Sequence, residues 1–115
     1  MRLLTFLIHN KMTKIYIAGK VSGEEVHKVT MKFGKAQKEL DKLGYEAVNP
    51  IEVVNDWHCS WDDAMKKCIA ALQQCEAVYF LPCYKESKGA QIELNFAHNN
   101  NINVYTDFNQ IPKIN

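Results

Sequence analysis

Glu93 is the residue in this chain best placed to do chemistry. Its neighbours Ile92 and Leu94 are apolar, and Ala90, Phe96 and Ala97 complete a mainly apolar segment. A carboxylate in that setting needs a partner or a purpose, because burying an unpaired charge is costly. Close to a helix N-terminus the dipole favours the ionised form, and an ionised carboxylate at a pocket mouth can act as nucleophile or general base. Periodicity alone favours a plainer role, a glutamate that caps its own helix or lies on a solvated face.

Six residues before Glu93 stands Ser87, and Gly89 follows it in a Ser-x-Gly step. A hydroxyl, free backbone N–H groups and the helix dipole together suit a phosphate, although a serine there is also an ordinary N-cap. The loop GKVSG at 19–23 has the residue types of a phosphate loop, but not the G-x-x-x-x-G-K-[ST] order of a Walker NTPase. Its plainer role is a strand-to-helix turn. Lys20, Ser22, Asn49, Ser87 and Lys88 are the polar candidates on the loops that must meet. Trp57 and Trp61 could wall a pocket for a base, with packing under a long connection as the simpler expectation. Asp62 and Asp63 suit the first turn of a helix.

Histidines at 9, 27, 58 and 98 have no ligand spacing, and the cysteines at 59, 68, 75 and 83 form no C-x-x-C pair, so no metal or cofactor is expected. Cys68 and Cys75 lie in one expected helix, roughly 10 Å apart along its axis and beyond disulfide reach. Reduced thiols in a cytoplasmic protein follow.

The elements that must position these residues alternate. KIYIA at 14–18 reads as a strand that ends at Gly19. Val26, Val29, Phe33, Ala36, Leu40 and Leu43 then make one helical stripe, closed by Gly44 as a C-cap. YEAV at 45–48 is a second strand stopped by Asn49-Pro50, and residues 51–60 are a connection with no assigned structure. Ser60 starts a second helix with Met65, Cys68, Ile69, Leu72 and Cys75 on its apolar face. AVYFL at 77–81 is an apolar run suited to a strand buried on both faces. A third helix covers about 89–99, and Val104-Tyr105 sit in a last strand. The order β-α-β-α-β-α-β predicts a three-layer α/β fold of the flavodoxin or Rossmann kind, a parallel sheet of four or five strands with helices on both faces. Ligands of such sheets bind outside the carboxyl ends of the strands.

The 115 residues suffice for one domain, here expected over 14–107, with an extension at 1–13 and a peripheral tail at 108–115. The apolar share of 47% and charged share of 23% are those of an ordinary globular protein. A net charge of +1 gives no reason to expect a nucleic-acid polymer as partner. No apolar run is long enough to cross a membrane, and the start MRLLTFLIHNK is too short in its apolar part, and without a cleavage site, to read as a signal peptide.

Five segments in order, KIYIAGKVSG, LGYEAVNP, AMKKCIAAL, CEAVYFLP and ESKGAQIELNFA, resemble the nucleoside 2-deoxyribosyltransferase-like superfamily over residues 14–105, closest to its small bacterial and phage domains of unknown function. The resemblance implies base exchange on deoxyribose, or cleavage of deoxynucleoside monophosphates, with Glu93 as the nucleophile at the sugar. It implies contacts to sugar or phosphate from Ser87, a site tyrosine at Tyr16, a glycine turn at Gly19, and further ligand contacts at Lys20 and Ser22. A serine at 87 resembles the monophosphate-cleaving branch. It also implies a homodimer or higher homo-oligomer. One position departs from the pattern: Cys68 stands where active members carry an aspartate that helps the base to leave. A non-catalytic module binding a nucleotide or nucleotide signal is therefore the alternative, and a self-associating interaction module without a small-molecule site is a third.

Overall fold

The computed structural model describes residues 13–114. The amino-terminal extension, apart from Thr13, lies outside them. Four strands, β1 (Lys14–Ala18), β2 (Glu46–Val48), β3 (Ala77–Phe80) and β4 (Asn103–Tyr105), form one sheet in the order β2-β1-β3-β4, every pair parallel. Helices α1 (Val26–Leu43), α2 (Pro50–Val54), α3 (Trp61–Leu72) and α4 (Lys88–Asn99) connect them. The expected three-layer α/β fold is thus the one the chain adopts, with four strands among the described residues.

Strand periodicity divides the core into two layers. Ile15, Ile17, Ala77, Tyr79 and Leu81 face one way and pack on Val29, Phe33, Ala36 and Leu40 of α1. Tyr16, Ala18, Val78 and Phe80 face the other way and pack on Cys68 and Leu72 of α3 and on Ala90 and Ala97 of α4. Both faces of the central strands are covered, which is why β1 and β3 read as continuous apolar runs rather than alternating ones.

The starts of α3 and α4 each have a local cause. Ser60 Oγ accepts from the Asp63 amide at 3.1 Å, and Ser87 Oγ from the Ala90 amide at 3.1 Å. Gly44 closes α1 at φ 101°, a left-handed position that glycine takes without strain. Gly19 is required for a different reason: a Cβ there would lie 3.0 Å from Leu81 Cδ1 and 3.3 Å from Phe33 Cζ, so the turn after β1 passes hard against the core.

Three expectations are corrected. The connection after Pro50 opens with a helix, because Asn49 Oδ1 accepts from the Ile51 amide at 2.9 Å and Pro50 takes the first helical position. The Asn-Pro pair that stops a strand also starts α2, and five residues are too few for periodicity to register. Val26 is half exposed instead of joining the buried stripe. The tail is not peripheral: Ile111 is buried in the α1-side core, Phe108 meets Tyr79 edge-on at 5.7 Å, Tyr45 donates to the Pro112 carbonyl, and the Ile114 amide donates to the Leu43 carbonyl at 2.9 Å.

Candidate active site

The strand order reverses direction between β1 and β3, and the crevice at such a switch point is where doubly wound sheets bind ligands. A cleft of about 470 Å³ lies there. Tyr16 of β1, Cys68 and Met65 of α3, and Glu93 of α4 line it from within, residues 19–24 and the start of α4 border it, and α2 with Trp57 and Trp61 closes the far side.

At its base, the Tyr16 hydroxyl donates a 2.6 Å hydrogen bond to Glu93 Oε2. Tyr16 is fully buried and Glu93 is 5% exposed. Ala90, Glu93 and Ala97 are the buried residues of α4, so the carboxylate occupies a core position of its helix stripe while Ile92 faces outward. This settles the role that periodicity left open: Glu93 is neither a cap nor a solvated residue. Among the described residues no buried side-chain oxygen lacks a partner. Among the described residues only Oε2 has a protein partner, which leaves Oε1 for the cleft that Glu93 lines.

Burial pushes the Glu93 carboxyl up to about 7, and the Tyr16 hydrogen bond partly opposes that rise. Burial, and then the Glu93 charge, push the Tyr16 phenol well above its ordinary value, so the phenol remains a donor. Cys68 lies beside both. Burial raises its thiol to about 11, with Tyr16 pulling the other way, and at neutral pH it is an uncharged SH group.

The upper cleft offers charge and aromatic surface. Ser87 uses one lone pair as the cap of α4, and no described residue accepts from the amides of Lys88 and Gly89 in the first turn. Lys88 Nζ lies 4.9 Å from the centre of the Trp61 ring, a cation–π distance. Lys20 Nζ lies 3.9 Å from Glu86 across the mouth. The loop that carries Lys20 is tied down from below: its amide donates to Cys83 Sγ at 3.4 Å, Lys32 Nζ donates to the same sulfur at 3.2 Å, and Lys32 also pairs with Glu24.

Of the residues expected from sequence, Tyr16, Gly19, Lys20, Ser22, Ser87, Gly89 and Glu93 all line this one cleft. Asn49 does not. It is buried, caps α2 through Oδ1, and donates through Nδ2 to Gln37 Oε1 at 3.2 Å. Its neighbours Pro50 and Ile51 take the wall position instead. Trp57 and Trp61, expected as packing, are 52% and 38% exposed and form part of the lining. Met65, expected as helix core, lines the cleft instead, its sulfur 3.1 Å from where a Cβ on Gly89 would lie. Its place one turn before Cys68 was the available signal. Among the described residues no group of three or more His, Cys, Asp or Glu side chains is set to hold a metal ion.

No curated protein matches the chain. A family model does, from residue 13 to 106, the whole span from the first strand to the last and therefore every wall of the cleft. With Tyr16, Ser87 and Glu93 all inside that span, the chain belongs to the family described as domain of unknown function DUF4406.

Proposed function

We propose that this protein cleaves or exchanges the N-glycosidic bond of a nucleotide or deoxynucleotide, as a member of the nucleoside 2-deoxyribosyltransferase-like superfamily. One observation carries the reading: a buried carboxylate, Glu93, oriented by a buried phenol, with its free oxygen open to a cleft whose rim supplies anion donors and aromatic rings.

Breaking an N-glycosidic bond builds positive charge on the sugar. Glu93 stabilises that charge and traps C1′ as an ester, as the nucleophile of a retaining glycosidase does. The C1′–N electron pair departs with the base. Water or a second base then attacks C1′, restores the carboxylate, and gives hydrolysis or exchange. Tyr16 is a positioning residue, since its hydrogen bond fixes one carboxylate oxygen and leaves the other to react. Ser87 with the Lys88 and Gly89 amides suits a 5′-phosphate, Lys20 and Ser22 border the same space, and Trp57 and Trp61 offer surface for the base. The proposal includes a homodimer or higher homo-oligomer, and a cytoplasmic setting that suits four free cysteines. No helix among the described residues is long and apolar enough to cross a membrane.

The experiment is release of base from nucleoside and deoxynucleoside monophosphates, followed by chromatography, for wild type and Glu93→Gln. Release by the wild type and at least a hundredfold loss in the variant is the expected result. Equal release by the two proteins removes Glu93 from the chemistry.

The uncharged Cys68 favours a second reading, a module that binds a nucleotide without cleaving it. Thermal stabilisation of the wild type by nucleotides that it leaves intact for hours would select this reading.

A further inference from the structure

Among the described residues, the surroundings of Glu93 lack a carboxylic acid able to hand a proton to a leaving group. Tyr16 spends its proton on Glu93 itself. Cys68, the next side chain at the base of the cleft, is a thiol. The other carboxylates of the lining belong to the rim: Glu24 is paired with Lys32, Glu86 lies near Lys20, and Asp56 Oδ1 accepts from the His58 amide. Neutral purines and pyrimidines depart as poorly stabilised anions unless an acid meets them.

Resting on the glycosidic reading above, we propose that the preferred substrate is a ribosyl pyridinium nucleotide, whose leaving group carries its positive charge before reaction and needs no proton. Two further features fit a cationic ring. Glu93 is a buried carboxylate with a phenol but no cation beside it among the described residues, so a positive ring at C1′ supplies the missing counter-charge. Trp57, exposed in the cleft lining and with no lysine over its ring among the described residues, offers a free aromatic face that suits a pyridinium ring.

The step balances without a co-reactant other than water. Glu93 Oε1 forms a bond to C1′ as the C1′–N bond breaks, and the electron pair goes to the ring nitrogen, which leaves as a neutral pyridine. Water then bonds to C1′, the Glu93 carboxylate departs, and one proton per turnover passes to solvent.

The test compares nicotinamide mononucleotide with adenosine and deoxyadenosine monophosphates as probes, reading released base by chromatography and proton release by pH-stat. The wild type is expected to release nicotinamide at a kcat/KM at least about 100-fold above that for adenine, with one proton per nicotinamide, and Glu93→Gln is expected to lose it. Cys68→Asp, which sets an acid at the cleft base, should raise adenine release by about 10²-fold and so narrow the nicotinamide-to-adenine ratio. The wild-type ratio decides the matter even if that variant fails to fold. Adenine released as fast as nicotinamide, or released while nicotinamide mononucleotide stays intact, overturns the inference and leaves the glycosidic reading standing. Release from none of the three probes overturns both.

Discussion

Tyr16 and Glu93 meet in a 2.6 Å hydrogen bond although 77 residues of chain separate them. The phenol comes from the middle of β1 and the carboxylate from the second turn of α4. Tyr16 also packs in the core beside Cys68 and Leu72, but the Glu93 carboxyl adds no apolar packing, and a leucine or methionine at 93 would fill the Ala90–Ala97 stripe with less cost. The pair therefore gives up stability to keep a carboxyl at the floor of a cleft, a trade common at functional sites.

That cost depends on pH. Folded Glu93 keeps its proton up to about pH 7, whereas its ordinary value is 4.5. Between those values the folded state binds more protons than the unfolded one, so stability falls as pH rises across the window and levels off above it. The full loss is on the order of 3 kcal/mol. Glu93→Gln keeps an acceptor for Tyr16 and carries no charge. It is expected to melt within a few degrees of wild type at pH 5 and roughly 5 °C or more above it at pH 8, as read by circular dichroism.

Tyr16→Phe removes the one hydrogen bond that holds the Glu93 carboxyl down. A hydrogen bond to a charged group contributes about 1.5–3 kcal/mol, so the acid limb of the activity profile is expected to move up by about one to two pH units. A merely structural loss would lower the rate at every pH and leave that limb in place. The pH dependence of kcat/KM for base release distinguishes the two.

Ser87 has a structural task as the cap of α4 and a proposed one as a phosphate donor. Ser87→Ala is expected to lose about 1 kcal/mol of stability and to weaken nucleotide binding. Ser87→Asp separates the tasks. Aspartate caps as well as serine, so the melting temperature is expected to stay within a few degrees of wild type, while the added negative charge lowers affinity for monophosphates tenfold or more and spares the nucleosides. Calorimetric titration with both ligand forms reads the difference.

Ile111 is 6% exposed and belongs to the α1-side core with Tyr45 and Tyr79. Ile111→Ala is expected to cost about 2–4 kcal/mol in urea unfolding, and Ile114→Ala, at a half-exposed site, less than about 1 kcal/mol. Equal small effects would return the tail to the periphery.

The order of the elements other than α2, the parallel sheet, the caps at Ser60 and Ser87 and the stripe from Val29 to Leu40 are determined by the chain alone. They are legible because backbone geometry imposes periods of 2 and 3.6 that local residue choice must follow. The loops that converge on the cleft follow in turn, since parallel strands put their carboxyl ends together. What periodicity could not decide is which face of each element another one covers. Ile92 and Glu93 are neighbours on one helix, and the sheet buried the acid and exposed the isoleucine. Asn49 turned from a ligand candidate into the cap of the helix it precedes. Trp57 and Trp61 became cleft walls and Ile111 entered the core, each because of groups distant in sequence. The state of Glu93 has the same origin. Its type and helix position are written in the sequence, but the shift of its carboxyl comes from the low-dielectric packing of β1, α3 and α4 around it, and only the assembled fold creates that.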